Sequence, residues 1–368
     1  MQVTHFVNDH RGGLARYVER LIDAQQRAAR PGIVPQVYGP RALRVSPQTS
    51  HLFYTPAESR WGLNQWKFAA MSPWVRHCGV RHFHNYTAGA IDVFTCHGLY
   101  TQNWLAKNSD SMPRLYQRAQ FSALSALEAR CLEQAKVVVF QSKENEEFVS
   151  DYFKLRRPGS FVKILQAVDT QQFFPVDEAT RAEKRRSVFG QIRPDARWLL
   201  FVGHDFYGKG LLRIMAAFEK RRESHEAVAV LIFGYDPANK VQAENLARRL
   251  NFPVYFMADD ELLKSAYQCS DYLMLDSVSE GGPMVLLEGM ASGCVPIFTT
   301  CGGVRETILS GVNGLVAESA DHIVQLALGT QEAQRSVLSK GAIETAARRD
   351  VATFERSYRD IYESIREK

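Results

Sequence analysis

"WLLFVGHDFYGKGLLRIMAAFEKR", residues 198–221, decides how the second half of the chain folds. WLLFVG is a short apolar run of strand length, the loop after it carries glycines, and LLRIMAAFEKR has the composition of a helix. An apolar strand, a glycine loop and a helix form the opening unit of a parallel sheet covered on both faces.

The same alternation extends in both directions. Downstream, strands are expected at AVLIFG (229–234), VYFM (254–257), DYLMLD (271–276), VPIF (295–298) and GLVA (314–317), with helices between them. Upstream, VTHFV (3–7) runs into the Gly12–Gly13 turn, and LARYVERLIDA then has apolar residues at 14, 17/18 and 21/22, a helical spacing. Further apolar runs lie at HLFYT (51–55), IDVFTC (91–96) and KVVVFQS (136–142), and a long helical pattern fills about 113–135. The composition shifts after VKILQAVDTQQFFPVD (162–177), where ATRAEKRRSVFG reads as a helix. The fold class is therefore α/β, with two Rossmann-like, doubly wound domains, 1–165 and 166–350, facing a cleft. Ligands in this architecture bind beyond the carboxyl ends of the strands, which makes that cleft the expected site. FERSYRDIYESI closes the chain as an amphipathic helix with aromatics at 354, 358 and 362.

Composition narrows the class. The chain has 368 residues, 45% of them hydrophobic and 23% charged, with no apolar run long enough to cross a bilayer. MQVTHFVNDHRGG lacks the basic-then-apolar pattern of an export signal, which favours the cytoplasm. The six cysteines form no CxxC pair, so reduced thiols are expected and zinc has no motif. Residues 1–165 hold 21 Lys and Arg against 12 Asp and Glu, and the remainder 24 against 28. A basic first half favours an anionic partner: phosphate, nucleic acid or a membrane surface.

Five constellations carry chemistry. In HDFYGKG (204–210), glycines let backbone amides approach a phosphate and Lys209 adds a full charge, although the P-loop spacing is absent and a solvated lysine is the plain alternative. In SEGGPMVLLEGMASG (279–293), Glu280, Gly281 and Gly282 precede Pro283 at the first helical position, and amides at such a helix start bind phosphate oxygens. Glu288 lies within an apolar run, so it is expected to be partly shielded and able to accept hydrogen bonds from a ribose diol; the alternative is a capped core helix with a surface glutamate. Gly12–Gly13 is a tight turn. His97, followed by Gly98 in TCHGLY, ends a strand, where a structural histidine is the alternative. His82 and His84 in HFHN are thin evidence for a metal without further ligands. CGGVRE (301–306) adds a third glycine turn in the second half, with Glu306 beyond it. Turns after 203, 280 and 301, each with a charged residue, point to a nucleoside diphosphate.

These residues resemble glycosyltransferase family 4, retaining enzymes of the GT-B fold. The family's E-x7-E motif matches Glu280 and Glu288, and SEGGPMVLLEGMASGCVPIFTTCGGVRETILSGVNGLV fits through its glycine pair, Glu306 and NGL. VGHDFYGKG fits the phosphate-lysine loop and QAVDTQQFFP the linker. The resemblance implies that Glu288 binds the donor ribose, that Glu280 and the amides of Gly281, Gly282, Met284 and Val285 around Pro283 bind sugar and diphosphate, and that Lys209 neutralises the leaving group. It implies that Gly203 and His204 border the donor, that Gly12 and Gly13 line the diphosphate from the first domain, and that His97 meets the transferred sugar. It also implies that the helix at about 351–368 packs back on the first domain. His204 stands where the family often has arginine, Gln166 where the linker has asparagine, and Pro283 where one variant has glycine.

The implied activity is retaining transfer of a hexose from a UDP- or GDP-linked sugar to a glycan or glycolipid acceptor, in cell-envelope polysaccharide synthesis such as lipopolysaccharide. The alternatives are a non-catalytic GT-B partner subunit, or a sugar-nucleotide epimerase or phosphorylase. No DxD motif is present, so metal independence and no cofactor are expected. No nucleic-acid motif is found. MPRLYQRAQFSALSALEARCLEQAK (112–136) predicts a long helix with Leu115, Tyr116, Ala119, Ala123, Leu124, Leu127 and Cys131 as a core stripe. Arg114 and Arg118, near Tyr116, Phe121, Trp104 and Lys107, form a basic aromatic face suited to an anionic membrane surface, which would place the protein at the inner face of the plasma membrane.

Overall fold

Two parallel sheets account for every named strand in the computed structural model of the chain, which describes all residues except 10–11, 29–32, 48, 55–60, 78, 109–113, 157–158, 222–226, 258 and 368. Contacts divide the chain into one unit of residues 1–166 and 351–368 and a second of 167–350.

The first unit holds β1 (Gln2–Phe6), β2 (Val34–Pro40), β3 (Ser50–Tyr54), β4 (Val80–Phe83), β5 (Val93–Cys96), β6 (Val137–Phe140) and β7 (Ser160–Lys163), in the spatial order β3-β2-β1-β4-β5-β6-β7. Its helices are α1 (Gly12–Arg27), α2 (Trp61–Met71), α3 (Tyr100–Lys107), α4 (Leu115–Gln134) and α5 (Lys143–Phe153). The prolines of β2 hide that strand from sequence reading. Pro35 pairs with Val3 on one side before β3 has begun, and Pro40 pairs with Tyr54 after β1 has ended. Each proline thus sits where only one neighbour needs a ladder bond.

The second unit holds β8 (Arg197–Val202), β9 (Val228–Phe233), β10 (Val254–Met257), β11 (Tyr272–Leu275), β12 (Val295–Thr299) and β13 (Leu315–Ala317), ordered β10-β9-β8-β11-β12-β13. Its helices are α6 (Glu178–Ser187), α7 (Leu211–Lys220), α8 (Lys240–Ala247), α9 (Asp260–Cys269), α10 (Met284–Ala291), α11 (Ala320–Gly329) and α12 (Glu332–Ala347). All six residues of β9 are buried, as are five of six in β8, because helices cover both faces. The strand order reverses between β8 and β11, and the loops leaving these two strands are therefore neighbours.

The last helix, α13 (Val351–Arg366), belongs to the first unit, where it packs on α1. Phe354, Tyr358, Ile361 and Tyr362 are buried, the three- and four-residue spacing of one helix face. The stripe expected along α4 is corrected. Leu124, Leu127, Cys131 and Leu132 are buried, but Leu115 is 83% and Tyr116 61% exposed, and Ala119 and Ala123 face solvent. The first two turns of α4 have no core to cover them.

Burial gives the first unit a pH dependence. Desolvation lowers His5 to about 4 and His97 to about 3, and it also lowers His51, His82 and His84. Unfolded histidines take up protons below about pH 6.5, so between there and pH 4 the unfolded chain binds more protons. Three carboxyls of the same unit act in the opposite sense, Asp9, raised by burial to about 6, with Glu19 and Glu128 also raised by burial. The histidines outnumber them, so stability is greatest above about pH 7 and falls on acidification. Urea unfolding followed by tryptophan emission reads the first unit, since Trp198 is the only tryptophan of the second. The midpoint drops from pH 7 to 5; a flat or rising midpoint contradicts the account.

Candidate active site

At the carboxyl end of the second sheet, main-chain hydrogen bonds join the loops after β8 and β11. Asp276 N donates to Lys209 O at 3.1 Å and Val278 N to Gly208 O at 2.9 Å. Asp205 shapes the first loop from within, its Oδ1 accepting from Gly208 N at 2.8 Å. Gly210 caps α7 with φ 80°, and a Cβ there would lie 2.3 Å from Asp276 O. Only glycine fits so close a backbone approach. Arg213, in the first turn of α7, pairs with Asp276 and donates to Tyr207 O, clamping the same corner.

On this frame Lys209 meets Glu280. The ammonium pairs with Glu280 Oε1, which also accepts from Ser277 Oγ at 2.8 Å. Gly203 leaves room for the lysine stem, since a Cβ would sit 3.1 Å from Lys209 Cγ. The glutamate side chain is 9% exposed and the lysine 29%, so the lysine is the more accessible partner. His204 takes no fixed charge here. Its Nδ1 accepts from Tyr235 N at 3.0 Å, which leaves the proton of the neutral ring on Nε2.

The loop after β12 supports the loop after β11 from beneath. Gly303 N donates to Gly281 O at 2.9 Å, and Gly302 has φ 50° with Glu280 O only 1.6 Å from where a Cβ would stand. Pro283 is the extended N-cap of α10 rather than its first helical residue, and no side chain caps this helix. The first-turn amides of Met284 and Val285 thus lie beside the Glu280 loop at a helix N-terminus, where an anion is favoured. Glu288 departs from expectation. It is fully buried rather than partly shielded, and Tyr267 of α9 donates to its Oε2 at 3.2 Å.

In the first unit, Gly12 and Gly13 open α1 after β1, Gly12 with φ 77°. His97 follows β5, half-buried, with Gly98 exposed and open space where its Cβ would be. Both His97 nitrogens are committed, Nε2 to His84 Nδ1 and Nδ1 to Gln141 Nε2, each at 2.9 Å. Tyr17 stands edge-on to the ring at 4.6 Å.

Behind His97 lies a buried polar cluster that the sequence disclosed only in part. His5 and His82 are register partners on β1 and β4, and His84 is two residues on, so all three share one sheet face. Their ligand atoms lie within 4.8 Å of one another, a spacing a metal could use. Each is instead hydrogen-bonded: His5 to His84 and Gln25, His82 to Tyr362 and Thr95 at 2.7 Å each. Tyr358 joins Thr95 and Tyr17, at 2.9 and 2.6 Å. The HFH signal disclosed His82 and His84; the place of His5 and the roles of Gln25, Gln141 and Tyr17 required the topology.

Residues 183–333 match the family Glycosyl transferases group 1. A D-inositol 3-phosphate glycosyltransferase from Corynebacterium kroppenstedtii is 25% identical over 302 residues, 77% of this chain and 66% of that protein. The chain spans about half to two thirds of the length of the first curated relatives it matches. Among solved structures, WaaG, a glycosyltransferase involved in lipopolysaccharide biosynthesis, superposes with TM-score 0.78 at 17% identity, covering 98% of this chain and 99% of WaaG. Anabaena Alr3699/HepE in complex with UDP-glucose gives 0.71 at 13% identity, covering both chains fully.

The stacked glycine turns predict a sharp steric test. Gly302→Ala forces a Cβ into the Glu280 carbonyl at a positive φ, costing about 2–4 kcal/mol and displacing the Glu280 loop. Chemical denaturation of the variant measures it, and unchanged stability contradicts the packing described.

Proposed function

We propose that this chain, whose residues 183–333 match the group 1 glycosyl transferases and which has the GT-B fold, is a retaining hexosyltransferase, moving a hexose from a UDP- or GDP-linked sugar to a glycan or glycolipid acceptor. The observation that carries this reading is the convergence of three glycine loops on Lys209 and Glu280 at the point where the second sheet reverses its strand order.

The chemistry follows from those groups. The bond from the anomeric carbon to the phosphate oxygen breaks with its electron pair leaving on the diphosphate. The acceptor hydroxyl bonds to the same face of the sugar and gives its proton to the departing phosphate. Lys209, held by Glu280, keeps N–H donors for the phosphate oxygens, and the α10 amides add to them. Glu280 orients the lysine and takes sugar hydroxyls; Gly203 and His204 border the donor, and Gly281 and Gly282 let it approach. The resemblance assigns Gly12 and Gly13 to the diphosphate. His97, neutral and with both nitrogens engaged, supports the transferred sugar as a fixed wall and not as an acid. The ribose falls to Glu288, which must give up part of its burial to accept it. No metal or cofactor is assigned to these steps.

Assay with a panel of sugar nucleotides tests the proposal. Lys209→Ala lowers kcat by about 100- to 1000-fold in a folded protein. Glu288→Gln raises the donor KM by about 5- to 100-fold, and chelator leaves the parent rate unchanged. No turnover of any donor by the parent contradicts the enzyme reading in favour of a non-catalytic subunit. A Glu288→Gln variant that is only less stable reduces that residue to a partner of Tyr267.

A glycolipid acceptor at a membrane surface is favoured by α4. Its exposed first turns carry Leu115 and Tyr116 between Arg114 and Arg118, with Trp104 stacked on Phe121 at 4.0 Å. Among the described residues no helix is long and apolar enough to cross a membrane. Apolar side chains flanked by arginines suit the interface of an anionic bilayer, each arginine adding about 1 kcal/mol. Cosedimentation with phosphatidylglycerol vesicles at low salt, lost in Arg114→Glu/Arg118→Glu, is the expected result. Absence of binding at low salt removes the surface and leaves the transferase.

A further inference from the structure

We propose that His84 is a positioning residue for His97, holding it as the neutral tautomer with its proton on Nε2. The proposal rests on the transferase reading for its effect on turnover, and on geometry alone for the tautomer.

The hydrogen bonds run in one direction. Gln166 Nε2 donates to Gln141 Oε1 at 3.0 Å, which turns the Gln141 amide so that its Nε2 faces His97 Nδ1 at 2.9 Å. An amide N–H can only donate, so His97 Nδ1 accepts and carries no proton. The proton of the neutral ring is then on Nε2, 2.9 Å from His84 Nδ1. His84 must in turn carry its own on Nε2, 3.2 Å from His5 Nδ1, and His5 on its Nε2, 3.0 Å from Gln25 Oε1. Gln25 Nε2 faces the Tyr362 hydroxyl at 3.5 Å. All six nitrogens of the three imidazoles are used once, with no donor facing a donor. The reverse direction requires both amides, Gln141 and Gln166, to turn over together.

The chain is anchored at both ends. Gln166 is the last residue of the first unit before the chain crosses to the second, and Tyr362 lies on α13, after the chain has returned. His84 is buried and touches nothing outside the protein, so it acts only through His97. The same bonds argue against a metal between His5, His82 and His84. The lone pair of His84 Nδ1 is taken by His97 and that of His5 Nδ1 by His84, while both His82 nitrogens meet hydroxyls.

Long-range nitrogen–proton spectra of the whole chain, labelled at histidine, read the tautomer without turnover. The expected result is His97 neutral with its proton on Nε2 from pH 8 to pH 6; a proton on Nδ1, or an averaged tautomer, overturns the proposal. His84→Leu lowers kcat about 10- to 100-fold with the donor KM within about twofold. His84→Gln, which can both accept and donate, recovers most of the loss. Equal losses in the two variants, with native circular dichroism, overturn the positioning role. One equivalent of zinc or another transition metal in the purified parent, lost in His84→Leu, overturns it in favour of a metal site. A parent that transfers no sugar defeats the transferase reading, while the tautomer is still decided by the spectra.

Discussion

The site depends on two main-chain hydrogen bonds, Asp276 N to Lys209 O and Val278 N to Gly208 O. They join loops that leave different strands, and they exist because β8 and β11 are neighbours at the point where strand order reverses. Without them the Lys209–Glu280 pair is an exposed lysine near an acid, worth little in water. With them the ammonium is held at one place, and its charge is preorganised before any ligand arrives. The glycines follow from the same constraint. Gly210 and Gly302 each lie where another main-chain oxygen comes too close for a Cβ, so each is required by a neighbouring loop as well as by its own turn.

The two units bury polar groups by different means. In the second unit Asp271 binds Arg181 and Arg185, pairing opposite charges where α6 meets the start of β11. The first unit has a buried ion pair of its own, Asp92 with Arg81, but behind His97 it buries imidazoles and phenols that satisfy each other in series. Neutral chains cost less desolvation than ion pairs but demand that every donor find its acceptor. This makes α13 a structural part of the first unit, since Tyr358 and Tyr362 complete bonds that no residue of 1–166 supplies.

How much was legible in the sequence differs between the units for physical reasons. In the second, strands are apolar and the glycine turns fall at their ends, so β8 to β13 and the grouping of Gly203, Lys209, Glu280 and Gly302 could be read from local pattern. Burial of Glu288 could not, because an acid in an apolar run reads the same whether its helix faces a ligand or α9. In the first unit β2 was masked by prolines placed where one neighbour is missing. The α4 stripe misled because periodicity reports a shared face and not whether anything lies opposite it. The histidine cluster was half visible as HFH on one strand; Gln25 and Gln141 join it only through sheet order.

Hydrogen exchange with and without nucleoside diphosphate tests the central claim, that the stitched loops form a seat for a diphosphate. UDP or GDP at saturating concentration should slow exchange in 203–210 and 281–286 and leave the amino ends of the central strands, around 195–198 and 269–272, unchanged. Protection confined to those amino ends, or no protection by either nucleotide, would contradict the account.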